Sequence, residues 1–206
     1  MTNQEQTILI AEADYPKAKE LADLTSLIQD MDTCINTCQR LTDFMDQENQ
    51  DTLIQNSLWT SVLIIYARCF GASKKFGITE EYLSEIKGNA VVAHNYFIDI
   101  SSKHIAHSVN QFDLIKVGLV LSDPQIERRV TGIIKLTQSH VTGNKENVDT
   151  LKQLCLVIKT KLVNDEKLCL KEALKFGQEL PLEDLYEKSY TQSEFSDPND
   201  VFKTLE

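Results

Sequence analysis

From Leu21 to Met45 the apolar side chains return at alternating steps of three and four: Leu21, Leu24, Ile28, Met31, Ile35, Cys38 and Met45, broken only at Thr42. That spacing lays the residues along one narrow line of a helix, and such a line has to be covered by other helices. Acidic residues crowd the remaining faces. Pro16 suits the first turn of this helix, where its missing N–H would have no intrahelical partner.

The helical pattern then repeats. "NQDTLIQNSLWTSVLIIYARCFGASKKFG" predicts a second helix with Asp51 or Ser57 as N-cap. It is apolar almost all round from Leu58 to Phe70, which makes it the candidate for the most buried helix. "TEEYLSEIKGNAVVAHNYFIDISSKHIAHSVN" opens on Thr79 followed by acids and predicts a third helix, or a third and a fourth divided by a bend near Asp99 to Ser102. Next the period shortens. "FDLIKVGLVL" and "RRVTGIIKLTQSHV" are rich in β-branched residues and flank "SDPQIE", which predicts a β-hairpin. Helical spacing resumes at Leu151, Cys155, Ile158, Leu162, Cys169 and Phe176, and Gly177 and Pro181 end it. The acidic segment that follows keeps no sustained apolar period and is expected to be mobile.

At 206 residues with 42% hydrophobic content, the chain can build one real core. It has no apolar run near the roughly 18 residues of a membrane span. No basic region precedes an apolar core at the N-terminus, so a cytoplasmic location without a membrane partner is expected. Five cysteines in no CxxC pair suit a reducing compartment and read as small core residues. The net charge of −10 opposes indiscriminate nucleic-acid binding, but it is uneven. Residues 1–59 carry 3 basic and 11 acidic groups, whereas residues 114–175 carry 11 and 7, leaving room for a locally positive groove.

Three of the four histidines, His94, His104 and His107, fall in "HNYFIDISSKHIAHSVNQFD". A metal site is disfavoured: HExxH is absent, with Ile105 where its glutamate would stand, and no clear third ligand joins His104 and His107. No cofactor is expected, since there is no GxxxxGK[ST] or GxGxxG phosphate loop, and no G-x-S-x-G elbow supports a serine nucleophile. His107 can instead serve as general acid or base at an RNA 2′-hydroxyl, with Lys103, four residues earlier, on the same helical face and His104 nearby. A solvated bundle edge, with His107 bonded to a backbone carbonyl, would show the same residues. His94 lies between core positions Val91 and Phe97 and reads as structural. Trp59, Tyr66, Tyr96 and Phe97 have the spacing of a bundle core rather than of a base-stacking platform.

"LWTSVLIIYARCF", followed some thirty residues later by "HNYFIDISSKHIAHSVNQFD", resembles the HEPN superfamily, particularly its abortive-infection-like bacterial members. The resemblance covers about residues 55–113 well and the flanking helices loosely. It implies an α-helical bundle whose motif runs from an arginine and a polar residue to a histidine. Active members are metal-independent ribonucleases, often homodimers with the motif at the interface. Many act in toxin–antitoxin or phage-defence systems, and others are inactive or bind nucleotides. Carried over, His107 takes the histidine position, Lys103 a lysine position, Ser102 the polar position and Ser101 the arginine position. Serine cannot supply a forked, charged phosphate contact. Arg68 is the first candidate to replace that cation and Lys103 the second; alternatively, Arg68 is a structural ion pair with Asp99 or Glu85.

The expectation is therefore a mainly α, HEPN-like up-and-down bundle of four or five helices over residues 1–180, with an inserted β-hairpin at about 112–141 and an acidic, flexible tail at 181–206. Its implied function is that of a defence-type or toxin–antitoxin-type metal-independent endoribonuclease, or an impaired relative that binds RNA or nucleotide. The implied partners are a second copy and an antitoxin or regulatory protein. The rival expectation is a non-catalytic helical module for protein–protein interaction.

Overall fold

The computed structural model describes residues 8–47, 51–70, 77–102, 114–138 and 143–191. It is mainly helical with a β-hairpin. In chain order the elements are β1 (Leu9–Ile10), α1 (Pro16–Met45), α2 (Thr52–Arg68), α3 (Glu80–Ser84), α4 (Ala90–Ile100), β2 (Leu114–Leu121), β3 (Val130–Gln138), α5 (Lys145–Gln178), α6 (Leu182–Glu187) and β4 (Tyr190–Thr191). The chain divides into two compact units, Asp23–Asn164 and a smaller one built from Met1–Ala22 with Asp165–Glu206.

The larger unit is an up-and-down arrangement of α1, α2, the α3–α4 stretch and α5, and its side-chain pairs give the directions. Asp30 meets Arg68 while Cys34 meets Val62, so α1 and α2 run oppositely. His94 touches Phe70 and Phe97 touches Trp59, so α2 and α4 do too. Glu85 reaches Lys161 and Tyr96 reaches Asn147, which sets the α3–α4 stretch against α5. Finally, Lys145 pairs with Asp46, Lys152 with Gln39 and Lys159 with Asp32. Each step of seven forward along α5 is a step of seven back along α1. This is the flanking-charge register of an antiparallel coiled coil, written in the sequence but legible only once the two helices are known to be partners.

The core of this unit holds Leu24, Leu27, Met31, Cys34, Cys38 and Leu41 of α1 with Val148, Leu151, Leu154, Cys155, Ile158 and Leu162 of α5. The α5 stripe is as expected over this stretch. The α1 stripe is rotated: Leu27 and Cys34 are buried in place of Ile28 and Ile35, which sit half-buried at its edge. The rotation turns Asp30 inward, where Arg68 meets it. From α2, Trp59, Val62, Leu63 and Tyr66 join the core, but Ile64 is exposed and Asn56, Ser57, Thr60 and Ser61 line an open depression beside it. As expected, α2 has a larger share of its residues buried than any other helix of the described chain, although its small hydroxyl residues leave it one solvent face.

Caps fix the helix starts. Asp51 accepts hydrogen bonds from the backbone N–H groups of Leu53 and Ile54, at 2.9 and 3.4 Å, and Thr79 accepts from Tyr82 at 3.2 Å. Such caps satisfy donors that the first turn leaves without partners. The third helical segment is divided at residues 85–89, ahead of the expected bend, because Gly88 takes a φ of 101° that interrupts the helix. α4 itself ends at Ile100.

Between α4 and α5 stands the hairpin. β2 and β3 pair antiparallel, with Leu119 opposite Ile133 and Lys116 opposite Leu136, and the register shifts between Val120 and Leu121. Asp123 shapes the connection by accepting from the Gln125 N–H at 2.9 Å, and the Ser122 hydroxyl accepts from the Arg129 N–H at 3.0 Å. Alternation along the strands puts Val117, Leu119 and Ile133 on one face and Val120, Ile134 and Leu136 on the other. All six are exposed.

In the smaller unit, β1 pairs antiparallel with β4. The Tyr15 hydroxyl donates to the Ala173 carbonyl at 2.9 Å, and the Tyr15 ring lies 4.7 Å from that of Phe176. Cys169 and Ala173 are buried there, while Phe176 remains partly open. In the segment after Pro181, which keeps no sustained apolar period, residues 182–187 form α6 and Tyr190–Thr191 find a strand partner in β1. Local apolar spacing could not show this, since the partner strand lies at the other end of the sequence. Residues 192–206 lie outside the described residues. No helix among the described residues is long and apolar enough to cross a membrane.

Candidate functional site

Of the residues singled out from sequence, Lys103, His104 and His107 lie outside the described residues. Ser101 and Ser102 stand at the end of α4, in a wider π-type turn. The Ser101 backbone N–H bonds the carbonyls of Ile98 and Phe97, and the residue is only 8% exposed. A side chain so enclosed offers little to a phosphate in solvent. Ser102 is exposed, and its hydroxyl donates to the Asp99 carbonyl at 3.3 Å. Such a bond satisfies the end of the helix rather than leaving the hydroxyl open for a ligand.

Arg68 is an ion pair, and its partner is Asp30 rather than Asp99 or Glu85. Its Nε lies 3.2 Å from Asp30 Oδ2, and Nη2 bonds Oδ1. Two parallel N–H···O contacts make the pair bidentate. Asp30 is buried on α1 whereas the Arg68 side chain is 58% exposed, so the guanidinium closes a buried carboxylate while its outer edge meets water. The hydrogen bond from Arg68 to Asp30 raises the guanidinium pKa further above its ordinary value. The Cys69 thiol also faces Asp30, at 3.7 Å. Glu85 is taken by Lys161 at 2.5 Å, and the same ammonium lies 4.0 Å over the Tyr82 ring.

The structure does not bring Arg68 to the Ser101 position. His94 lies against Tyr66 and Phe70, and Phe97 against Tyr66 and Trp59. Advancing along α4 therefore means moving back along α2, away from Arg68. Ser101 is seven residues beyond His94, roughly 10 Å along the helix axis at 1.5 Å per residue. Arg68 and Ser101 sit toward opposite ends of the α2–α4 contact.

His94 is half-buried among aromatic rings, with its Nδ1 3.0 Å from the Tyr66 hydroxyl. Burial lowers its pKa from the usual imidazole value, so the ring is held neutral. Burial likewise raises the Tyr66 phenol above its ordinary value. A buried phenol that keeps its proton needs an acceptor, and Nδ1 of a neutral ring is one. Trp59, Tyr66 and Phe97 are core as expected, but Tyr96 is exposed and its hydroxyl accepts from Asn147 Nδ2 at 2.9 Å.

The remaining chemistry is restrained. Burial pushes the Cys38 thiol up to about 12, and Cys155, hydrogen-bonded to Cys34 and shut off from water, is held well above the usual thiol range. Neither provides a thiolate nucleophile near neutral pH. Among the described residues no group of three or more His, Cys, Asp or Glu side chains is arranged to hold a metal. Part of the basic bias of residues 114–175 is locally compensated on α5, where Lys145, Lys159 and Lys161 are paired with Asp46, Asp32 and Glu85. Sequence reasoning missed Asp30 because a lone acid beside an apolar stripe reads as solvent-facing. Its signal was Arg68, a charge with no compensating neighbour on α2. Comparison with protein-family models, curated proteins and solved structures finds no match to this chain.

Proposed function

We propose that this chain is a HEPN-like protein of the bacterial defence or toxin–antitoxin type that retains RNA or nucleotide binding around Lys103, His104 and His107 but is impaired in RNA cleavage. The observation that carries the reading is the fate of the missing motif cation: Ser101 is enclosed, and Arg68 is clamped on Asp30 at the far end of the α2–α4 contact. Phosphoryl chemistry without a metal needs a cation to stabilise charge on the phosphate, and an imidazole alone supplies only proton transfer. The up-and-down helical arrangement supports the comparison with HEPN bundles at the level of architecture alone.

The test uses the full chain with 5′-labelled single-stranded RNA in the presence of EDTA. The expected result is saturable RNA binding that Lys103→Ala and His107→Ala weaken, with no cleavage above background. Cleavage that survives EDTA and is abolished by His107→Ala would overturn the claim of impairment. Absence of both cleavage and binding would overturn the reading altogether.

A second reading, a non-catalytic protein-interaction module, is favoured by one observation: a hairpin that keeps aliphatic side chains open on both faces.

A further inference from the structure

The tip of the hairpin holds a cavity of about 550 Å³, lined by Leu121, Ser122, Pro124, Arg128, Arg129 and Val130. Its size lies within the roughly 300–1,000 Å³ of small-molecule sites, which are walled by apolar groups with a few polar ones to orient the ligand. The backbone around it is tied down. The Ser122 N–H donates to the Arg129 carbonyl at 3.0 Å, and the Ser122 hydroxyl accepts from the Arg129 N–H at 3.0 Å. Across the turn, the N–H groups of Ile126 and Glu127 both donate to the Asp123 carbonyl at 3.1 Å. A cavity framed by such bonds stands before any ligand arrives, which spares the ligand the cost of ordering it.

The lining combines two chemistries. Leu121 and Val130 are 69% and 55% exposed, so an apolar body laid on them removes aliphatic surface from water. Beside them, Arg128 is exposed and its side chain has no ion-pair partner among the described residues. Arg129 meets Glu127 through Nε at 3.3 Å, with both side chains largely open to solvent, and such a pair holds its arginine weakly. The other acid of the tip, Asp123, caps the turn by accepting from the Gln125 N–H at 2.9 Å. We propose that this cavity binds a small aliphatic carboxylate, its chain on Leu121, Pro124 and Val130 and its head on the Arg128 guanidinium. A planar guanidinium matches a carboxylate through two parallel hydrogen bonds. An inorganic anion would leave the apolar walls wet, and a neutral apolar molecule would gain nothing from Arg128. A nucleobase fits less well, because residues 114–138 contain no aromatic ring for stacking. The inference rests on the hairpin tip alone and stands or falls independently of any RNA chemistry.

The test follows the amide signals of the full chain in proton–nitrogen correlation spectra during titration with sodium octanoate. The expected result is saturable movement of signals within residues 121–130, with a dissociation constant of about 1 mM or below for so small a ligand. Octanamide, which has the same chain and no charge, should bind about tenfold more weakly. Acetate, which has the charge and no chain, should not saturate. Arg128→Gln should weaken octanoate about tenfold and leave octanamide within about threefold, a split that loss of the fold would not produce. Val130→Ser should weaken both ligands, and Lys175→Gln on α5 should change neither. Three results would each overturn the proposal: no saturation within residues 121–130, equal affinity for octanoate and octanamide, or octanoate binding indifferent to Arg128→Gln. Movement spread evenly over the exposed leucines of α5 as well as the hairpin would mean adsorption to aliphatic surface in general, and would overturn it too.

Discussion

The Tyr66 hydroxyl and His94 Nδ1, 3.0 Å apart, join α2 to α4 through a hydrogen bond in which the phenol donates to a neutral imidazole. Protonation of His94 would put a second proton between the two atoms and a charge against the rings of Tyr66 and Phe70.

This makes the bond sensitive to acid. Burial holds the folded-state pKa of His94 below the ordinary imidazole value of about 6.5. As pH falls through 6.5 the unfolded chain takes the proton first, so stability declines from that point until the folded pKa is passed. Urea unfolding at pH 7.5 and 5.5 should show a loss of stability that is smaller in His94→Phe. Tyr66→Phe should cost about 1 kcal/mol and move the His94 titration, followed by its ring-proton shifts, toward the ordinary value. A His94 that titrates at or above the usual imidazole pKa in the parent chain would sink this account.

The Arg68–Asp30 pair predicts an asymmetric cost. Removing Arg68 leaves a carboxylate buried without its cation, whereas removing the charge of Asp30 returns an already half-solvated guanidinium to water. Loss of one partner from a fully buried pair costs about 3–5 kcal/mol, and the exposure of Arg68 discounts this to about 2–3 kcal/mol for Arg68→Ala. Asp30→Asn should cost less than Arg68→Ala, and the double variant less than the sum of the two. If Arg68 were instead the phosphate-binding cation, Arg68→Ala would weaken RNA binding with little change in the urea midpoint.

Thiol chemistry gives a third check. All five cysteines are free and buried, and burial raises the pKa of Cys38 and Cys169. A disulfide reagent such as Ellman's should therefore react with none of them at pH 7.5 on the timescale of minutes, and with all five once urea exposes the core. Rapid labelling of even one thiol in the native protein would show an opening that the packing does not allow for.

How far these features could be foreseen depended on whether their cause was local. Pro16, Asp51 and Thr79 act within a turn of their own position, so the helix starts were readable from neighbouring residues. The hairpin was equally plain, because β-branched alternation and Asp123-Pro124 are local signals. The rotation of α1 was not, since it shows in the burial of Leu27 and Cys34 and in the pairing of Asp30 with Arg68, 38 positions further along the chain. Nor was the pairing of β1 with β4, which joins the two ends of the described chain. For the candidate site, the sequence named Arg68 but could not tell its partner or that it stands away from Ser101.

Gly143, just before α5, gives the final prediction. A Cβ built there would lie 2.5 Å from Trp59 Cδ2 and 2.8 Å from Cε2, inside any tolerable carbon–carbon contact. Trp59 cannot readily withdraw, because it is buried, and Phe97 meets it edge-on at 6.2 Å. Gly143→Ala therefore forces either the indole or the start of α5 to shift, at about 1–3 kcal/mol for overpacking. Since Trp59 is the chain's single tryptophan, its fluorescence reports the shift directly, with emission displaced toward the red. In a Trp59→Leu background, where the six-membered ring behind Gly143 is gone, the same Gly143→Ala change should cost less than half as much. An equal cost in both backgrounds would mean that the glycine is needed for its backbone conformation, and that its closeness to the indole is incidental.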